Sequence, residues 1–329
     1  MRAAFADRYG PPESVEVRDV DRPTPTDDRV LVRVHAASVN RADLDGLGPR
    51  PGFVRAFVGL RAPRNPRIGI DVAGVIEAVG PSVTRFRPGD RVFSDLFAHG
   101  AGAFGEYVCP RERAFEPMPD WLSFEDAATL PHAAVLALQG LRLRSGRTIQ
   151  PGMRVLVDGA SGNVGPFAVQ IAKAMGAEVT GVASTGKLEL VRSLGADHVI
   201  DYTTTDVTRA GERYDWILDV DSHHGVLGVL AARRALRPDG VYVTLGGTAW
   251  PILAAMTVGS VATAAGSTWT GLMLWWKPFH RPDVTRLLEL IADGRLRPAI
   301  DRTFPLDDVV GALRWVDDGE ARGKVLVVP

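Results

Sequence analysis

The stretch Arg154–Ser184, RVLVDGASGNVGPFAVQIAKAMGAEVTGVAS, decides how this chain folds. Val155, Leu156 and Val157 form the continuous apolar run of a strand covered on both faces. Gly159, Gly162 and Gly165 follow, with Ser161, Asn163 and Val164 between them. Glycines at this spacing allow a tight turn, a close approach of backbone to a pyrophosphate, and close helix–strand packing. Val164, Phe167, Ala168, Ile171, Ala172 and Met175 then recur at helical spacing, and Gly176 stops the helix. Val179–Ala183 supplies a second strand. A glycine triplet alone is weak evidence; within strand, turn, helix and strand it marks a dinucleotide-binding unit, with the helix N-terminus facing a phosphate.

The end of the second strand selects between cofactors. An NAD site places Asp or Glu about 20 residues after the glycines, on the ribose hydroxyls. Here Ser184 and Thr185 occupy that place, Lys187 follows, and no carboxylate comes before Glu189. Hydroxyls and a lysine suit a 2′-phosphate, so the expected cofactor is NADPH; the alternative is a solvated loop with a surface lysine.

The rest of the chain bounds the reading. Its 329 residues are enough for two domains, and a net charge of −1 argues against nucleic acid or an anionic membrane as main partner. The lone Cys109 excludes an internal disulfide and a multi-thiolate zinc site. MRAAFADRYG shows no apolar signal core, so a cytoplasmic protein is expected. No charge occurs between Asp239 and Lys277, a length that could span a bilayer. Val241–Leu245 in that segment reads as a buried strand; Pro251 and the small residues after it read as a lid or subunit interface rather than a membrane span.

Residues 1–121 carry β patterns punctuated by Gly and Pro: Val30–Val39, Ile70–Val79, Arg91–Phe93 and Phe104–Val108. From Ser123 the pattern turns α/β. A helical run is predicted over Phe124–Leu143 and helices over Leu188–Leu194, Val226–Leu236 and Val284–Ala292. Strands are predicted over His198–Asp201, Trp216–Val220 and Val241–Leu245, and the chain ends in a helix, Ala312–Val316, and a strand, Val325–Val328. A partly closed barrel beside a doubly wound parallel sheet accounts for this order.

Several motifs in this order resemble the medium-chain dehydrogenase/reductase superfamily, in its zinc-free quinone oxidoreductase branch. They are ASVNRAD (Ala37–Asp43), GIDVAGVIEAVGPSVTRFRPGDRVF (Gly69–Phe93), GAFGEYV (Gly102–Val108), ASGNVGPFAVQIAK (Ala160–Lys173), LGADHVIDY (Leu194–Tyr202) and ARGKVLVV (Ala321–Val328). The resemblance implies a GroES-like catalytic domain, 1–121 rejoined by 298–329, and a Rossmann NADPH-binding domain, 122–297. Zinc-dependent relatives have a cysteine where Asn40 stands and a histidine where Ile70 stands; amide and isoleucine cannot replace them at zinc. No metal is expected. Nor is a short-chain mechanism, since none of Tyr9, Tyr107, Tyr202, Tyr214 and Tyr242 has a lysine four residues later.

The chemistry that survives is hydride transfer from NADPH to a small apolar conjugated acceptor: a quinone, enone or enal. By resemblance, Asn40 lies near nicotinamide and substrate, where its amide could donate to a developing enolate or hydroquinone oxygen; the alternative is a turn residue. Asp43 either orients Asn40 and Arg41, relays a proton, or caps a helix. Asp71 is read as structural, and His132 as a packed histidine or a catalytic one. Relatives' tyrosine after the VN motif is missing from Ala42–Phe53, and Val135 replaces a frequent threonine, so no proton donor is assigned. Tyr202 would pack by the adenosine phosphate, Leu245, Gly246 and Gly247 would form the turn beneath the nicotinamide, and Arg322 and Lys324 would lie near the cofactor or on the surface. Asp219, Asp221, His223 and His224, in DVDSHH at a strand end, would not readily converge all four side chains on a metal. Trp250, Trp269, Trp275 and Trp276 suit a substrate pocket, a dimer contact or plain core. A homodimeric quinone or enone reductase is expected; the competing readings are an enoyl-thioester or polyketide-tailoring reductase and a catalytically idle NADPH-binding protein.

Overall fold

In the computed structural model, residues 1–48, 59–209, 211–220, 232–245, 269–272 and 276–329 are described. The apolar run Val30–Val39 forms a ten-residue strand at the centre of a seven-stranded sheet. Across that sheet the order is Ile300–Pro305, Lys324–Val328, Val30–Val39, Asp71–Val79, Arg91–Asp95, Glu116–Pro117, and Tyr107–Val108 also pairs with Val30–Val39. All neighbours are antiparallel except the first two strands, which run parallel. Val32, Val34, Val39, Val72, Ile76, Val92, Leu313 and Val325 interleave in its apolar core. This is the GroES-like unit, and the C-terminal strand completes it.

The register has a chemical consequence. Ser38 lies opposite Asp71, and Asp71 opposite Asp95. Directly opposed residues share a face, and so do residues two apart on one strand. Leu326 lies opposite Ser38, so Asn40 and Lys324 join the same row of positions. Polar residues far apart in sequence thereby meet on one side of the sheet.

Two expectations in this region change. The helical run from Phe124 is broken: a helix Phe124–Thr129, capped by the Ser123 hydroxyl, passes into a π-turn at Leu130–Ala134 and then a helix Val135–Gly140. Pro131 has no N–H to continue the ladder, so the backbone widens there. Within Phe104–Val108 only Tyr107–Val108 is strand, Gly105 making a single bridge to Ala3.

The chain divides into two units, Met1–Ala133 with Pro278–Val284 and Pro298–Pro329, and Ala134–Lys277 with Thr285–Arg297. The first division thus falls after Ala133 rather than after 121, because Phe124–Thr129 packs on the strands Val30–Val39 and Asp71–Val79.

In the second unit a parallel sheet runs His198–Asp201, Glu178–Ala183, Arg154–Asp158, Tyr214–Asp219, Leu236–Thr244, Trp269–Leu272. With strands numbered within the unit this is the order 3-2-1-4-5-6 of a dinucleotide-binding sheet. Val155, Leu156 and Val157 are buried, as their continuous run demanded. The helix Gly165–Ala174 packs on the sheet through Phe167, Ala168, Val169, Ile171 and Ala172, and Gly176, at φ +85°, ends it. The predicted helix Val226–Leu236 lies largely outside the described residues. No described helix is long and apolar enough to cross a membrane.

Candidate active site

The glycine turn lies at the carboxyl end of Arg154–Asp158, where the strand order reverses toward Tyr214–Asp219. Such a switch point is where open α/β sheets bind their ligands. Gly159 has φ +78°, the left-handed region that glycine enters without strain. A side chain at Gly165 would place its Cβ 2.1 Å from the Gly159 carbonyl oxygen, so the fold itself demands glycine there. Gly162 is different. Among the described residues a Cβ there would meet only the Gly159 oxygen, at an ordinary 3.6 Å. Ser161 and Val164 are buried, Asn163 is half-buried, and Pro166 occupies the helix's first turn, where its missing N–H costs nothing.

Ser184, Thr185 and Lys187 occupy the end of Glu178–Ala183, Thr185–Lys187 forming one 3₁₀ turn. Exposed Tyr202 joins them, its N–H donating to the Ala183 carbonyl at 3.2 Å. One neighbour was missed. The Asp201 carboxylate accepts from the Thr185 hydroxyl at 2.5 Å and from the backbone and hydroxyl of Thr203, and these bonds lower its pKa. The Thr185 hydroxyl is therefore engaged by Asp201. Leu245 is half-buried beside the switch point, its N–H donating to the Asp219 carbonyl. Gly246 and Gly247 lie outside the described residues, as do Trp250 and Trp275. Asp219 accepts from the Tyr242 hydroxyl at 2.5 Å; burial and the Asp219 charge raise that phenol's pKa. Asp221, His223 and His224 are likewise outside the described residues.

The other candidates form a buried polar network in the first unit. Asn40 ends the strand Val30–Val39 and precedes the helix Arg41–Leu47; its N–H donates to Asp43 Oδ2 at 2.8 Å. Asp43 thus caps the helix, and burial pushes its pKa up to about 7. The Asn40 amide is held from both ends. Its Oδ1 accepts from Lys324 Nζ at 2.8 Å, while Nδ2 donates to Asp71 Oδ2 at 2.8 Å and to the Ser38 carbonyl at 3.4 Å. The hydrogens expected to serve a developing oxyanion are engaged inside the barrel.

Lys324, expected by the cofactor or on the surface, is 1% exposed. Its Nζ also donates to the Val39 carbonyl at 3.3 Å and lies 3.7 Å from Asp71 Oδ2. Burial lowers its pKa to about 8 against the pull of Asp71, Asp43 and Asp95; burial likewise raises Asp71 to about 6 against Lys324. Ser38 Oγ donates to Asp71 Oδ2 at 3.1 Å. Alongside, buried His132 Nδ1 meets Asp95 Oδ2 at 3.0 Å; burial would lower the imidazole, but the Asp95 bond and charge prevail and its pKa is raised. Neither Asp95 nor Lys324 was recognised as a network member in the sequence. A carboxylate inside the buried strand RVFSD was the available signal for Asp95. Arg322 is exposed.

Two family models match the chain: an alcohol dehydrogenase GroES-like domain over residues 26–120 and a zinc-binding dehydrogenase domain over 194–327. The mouse (Mus musculus) mitochondrial NAD(P)H oxidoreductase RTN4IP1 is 34% identical, over 91% of this chain and 81% of that protein. The chain belongs to the medium-chain dehydrogenase/reductase superfamily. Within it, the chain is quinone-oxidoreductase-like. The chloroplastic quinone oxidoreductase QR1 of Triphysaria versicolor is 30% identical over 100% of this chain and 98% of that one. The solved quinone oxidoreductase of Coxiella burnetii superposes with a TM-score of 0.86 at 28% identity, covering 100% and 99% of the two chains.

Proposed function

We propose that this member of the superfamily is a zinc-independent oxidoreductase that transfers a hydride from NADPH to a quinone or an α,β-unsaturated carbonyl compound. Gly162 carries most of the weight. No described residue requires glycine there, so the space above it suits a pyrophosphate pressed against the backbone at the switch point. The similar proteins, named an NAD(P)H oxidoreductase and a quinone oxidoreductase, support the same chemistry.

NADPH, when bound, supplies the hydride. The protein's part is to hold and orient. The turn Gly159–Gly165 and the N-terminus of Gly165–Ala174 would take the pyrophosphate, and Ser184 with Lys187 the 2′-phosphate, with Tyr202 beside the adenosine. Leu245–Gly247 is assigned to the nicotinamide, and Asn40 and Asp43 to the substrate side through the buried network.

Zinc does not suit this site. Asn40 presents an amide already bonded to an ammonium, and Ile70 is apolar. Among the described residues no three His, Cys, Asp or Glu side chains are grouped to hold a metal ion. A conjugated acceptor needs no Lewis acid, because conjugation spreads the charge that arrives with the hydride; a simple ketone needs a metal or a placed proton donor for its alkoxide.

The test is NADPH oxidation with a panel of quinones, enones, enals and enoyl thioesters, before and after exhaustive chelation. Turnover of quinones or enones, unchanged by chelation, is expected. Tight NADPH binding without turnover would overturn the enzymatic reading, and preferred turnover of thioesters would reassign the substrate. Loss of activity on chelation would overturn zinc independence. The cytoplasm and a homodimer complete the proposed setting, checked by fractionation and sedimentation velocity; the two similar proteins named first are mitochondrial and chloroplastic.

A further inference from the structure

We propose that Lys324 is a positioning residue: its ammonium sets the orientation of the Asn40 amide and holds Asp71 as its counter-ion, so that the polar face of the barrel works as one charged unit. What the unit serves rests on the function proposed above; its existence rests on the geometry alone. Lys324 is the only buried lysine or arginine among the described residues. Its ammonium donates to Asn40 Oδ1 and to the Val39 carbonyl, and it lies 3.7 Å from Asp71 Oδ2 as an ion pair.

The orientation of Asn40 follows from charge. Rotating the amide by half a turn would point Nδ2 hydrogens at the ammonium and Oδ1 at Asp71 Oδ2, replacing two charge-assisted hydrogen bonds with two repulsions. Asp71 depends on the same ammonium. Its Oδ2 collects the Asn40 and Ser38 donors, whereas its buried Oδ1 accepts from no described residue. A carboxylate so poorly solvated needs a cation beside it.

The charged groups facing Lys324 come from every element around it. They are Asp43 on the helix Arg41–Leu47, Asp71 and Asp95 on two adjacent strands, and His132 on the π-turn, itself bonded to Asp95. Three carboxylates thus face two bases. Loss of the ammonium proton leaves Asp71 unbalanced and removes one of the two charge-assisted hydrogen bonds that orient Asn40, so the amide is held from the Asp71 side alone. The site therefore loses its arrangement as pH rises through the lysine's titration, lowered by burial to about 8.

The experiment compares the full-length wild type, Lys324→Met and Asp71→Asn. In the wild type, kcat with a quinone should fall above about pH 8. In Lys324→Met, kcat should drop about a hundredfold, as for a displaced catalytic group, and the alkaline limb should vanish while the NADPH dissociation constant barely moves. Lys324→Arg should restore part of kcat. Asp71→Asn removes the partner that raises the lysine pKa, so the alkaline limb should shift to lower pH; this variant decides the matter if Lys324→Met does not fold. A readout without turnover is the ¹⁵N-labelled Asn40 side-chain amide, whose resonance should titrate with that limb in the wild type and not in Lys324→Met. A folded Lys324→Met with wild-type kcat and pH profile, an unmoved limb in Asp71→Asn, or an Asn40 amide that ignores pH would overturn the proposal. So would a Lys324→Met that loses NADPH affinity alone, since the lysine would then act on the cofactor. If the wild type turns over no acceptor, the proposed function fails, and the amide titration still decides the role of Lys324.

Discussion

The two units of this protein treat buried charge in opposite ways. In the parallel sheet, the buried polar side chains among the described residues are Gln139, Ser161, Gln170, Thr180, Asp219 and Thr244, and the one carboxylate, Asp219, is held by the Tyr242 hydroxyl. The GroES-like unit buries Asp43, Asp71, Asp95, His132 and Lys324 on or beside one row of positions. To the cofactor proposed above, the parallel sheet would offer backbone: a glycine turn and a helix end, whose dipoles need no counter-ion. The barrel offers side chains, whose desolvation each partner must offset. Backbone recognition tolerates a neutral interior; electrostatic positioning requires a charged one.

Substitutions sharpen that contrast, beginning with the largest effect. Lys324→Met should cost about 3–5 kcal/mol in chemical denaturation, because it strands the Asp71 carboxylate in the barrel. A loss below about 1 kcal/mol would mean that Asp71 simply takes up a proton, and that the barrel is as tolerant as the sheet. In the other unit Gly165→Ala should cost about 3 kcal/mol, since its Cβ must push apart backbone at Gly159 and Ala160, and NADPH binding should fall with it.

Lys187→Ala should reduce the preference for NADPH over NADH about tenfold, the worth of one charge-assisted hydrogen bond; an unchanged ratio would break the account of the 2′-phosphate. Gly162→Ala separates folding from binding. Stability should stay within about 0.5 kcal/mol, because the new methyl meets open space, while NADPH affinity measured by fluorescence drops about tenfold.

The last substitution concerns pH. Asp43 keeps its proton to about pH 7 in the folded chain, whereas an unfolded aspartate releases it near 3.8. Between those values the native state binds more protons, so this group's contribution to stability is full at low pH and is lost as pH rises. Asp43→Asn keeps an acceptor for the Asn40 N–H and should flatten stability against pH between about 4 and 7. An unaltered slope would show that Asp43 is ionised throughout.

Legibility divided along the same line. The strand, turn, helix and strand of 154–184 stand where the pattern placed them, because each step depends on neighbours within a few residues. The uniform helix expected after Ser123 misses the break at Pro131, because a π-turn absorbs the proline without ending the helical run. Lys324 could not be assigned from ARGKVLVV: a lysine at a strand's start is a surface residue unless something distant needs its charge. That something is Asn40, 284 residues away in the chain. Asp95 was similarly silent until strand pairing set it opposite Asp71.

What the sequence determined by itself was everything with local physics: two kinds of hydrophobic period, and a glycine turn between strand and helix. What only the tertiary structure decided was the partnership of charges. Antiparallel register brings Ser38, Asp71 and Asp95 into one row and returns the C-terminal strand so that Lys324 meets Asn40. Spacing along the chain carries no information about such pairs, because the energy of a buried charge depends on what surrounds it in space.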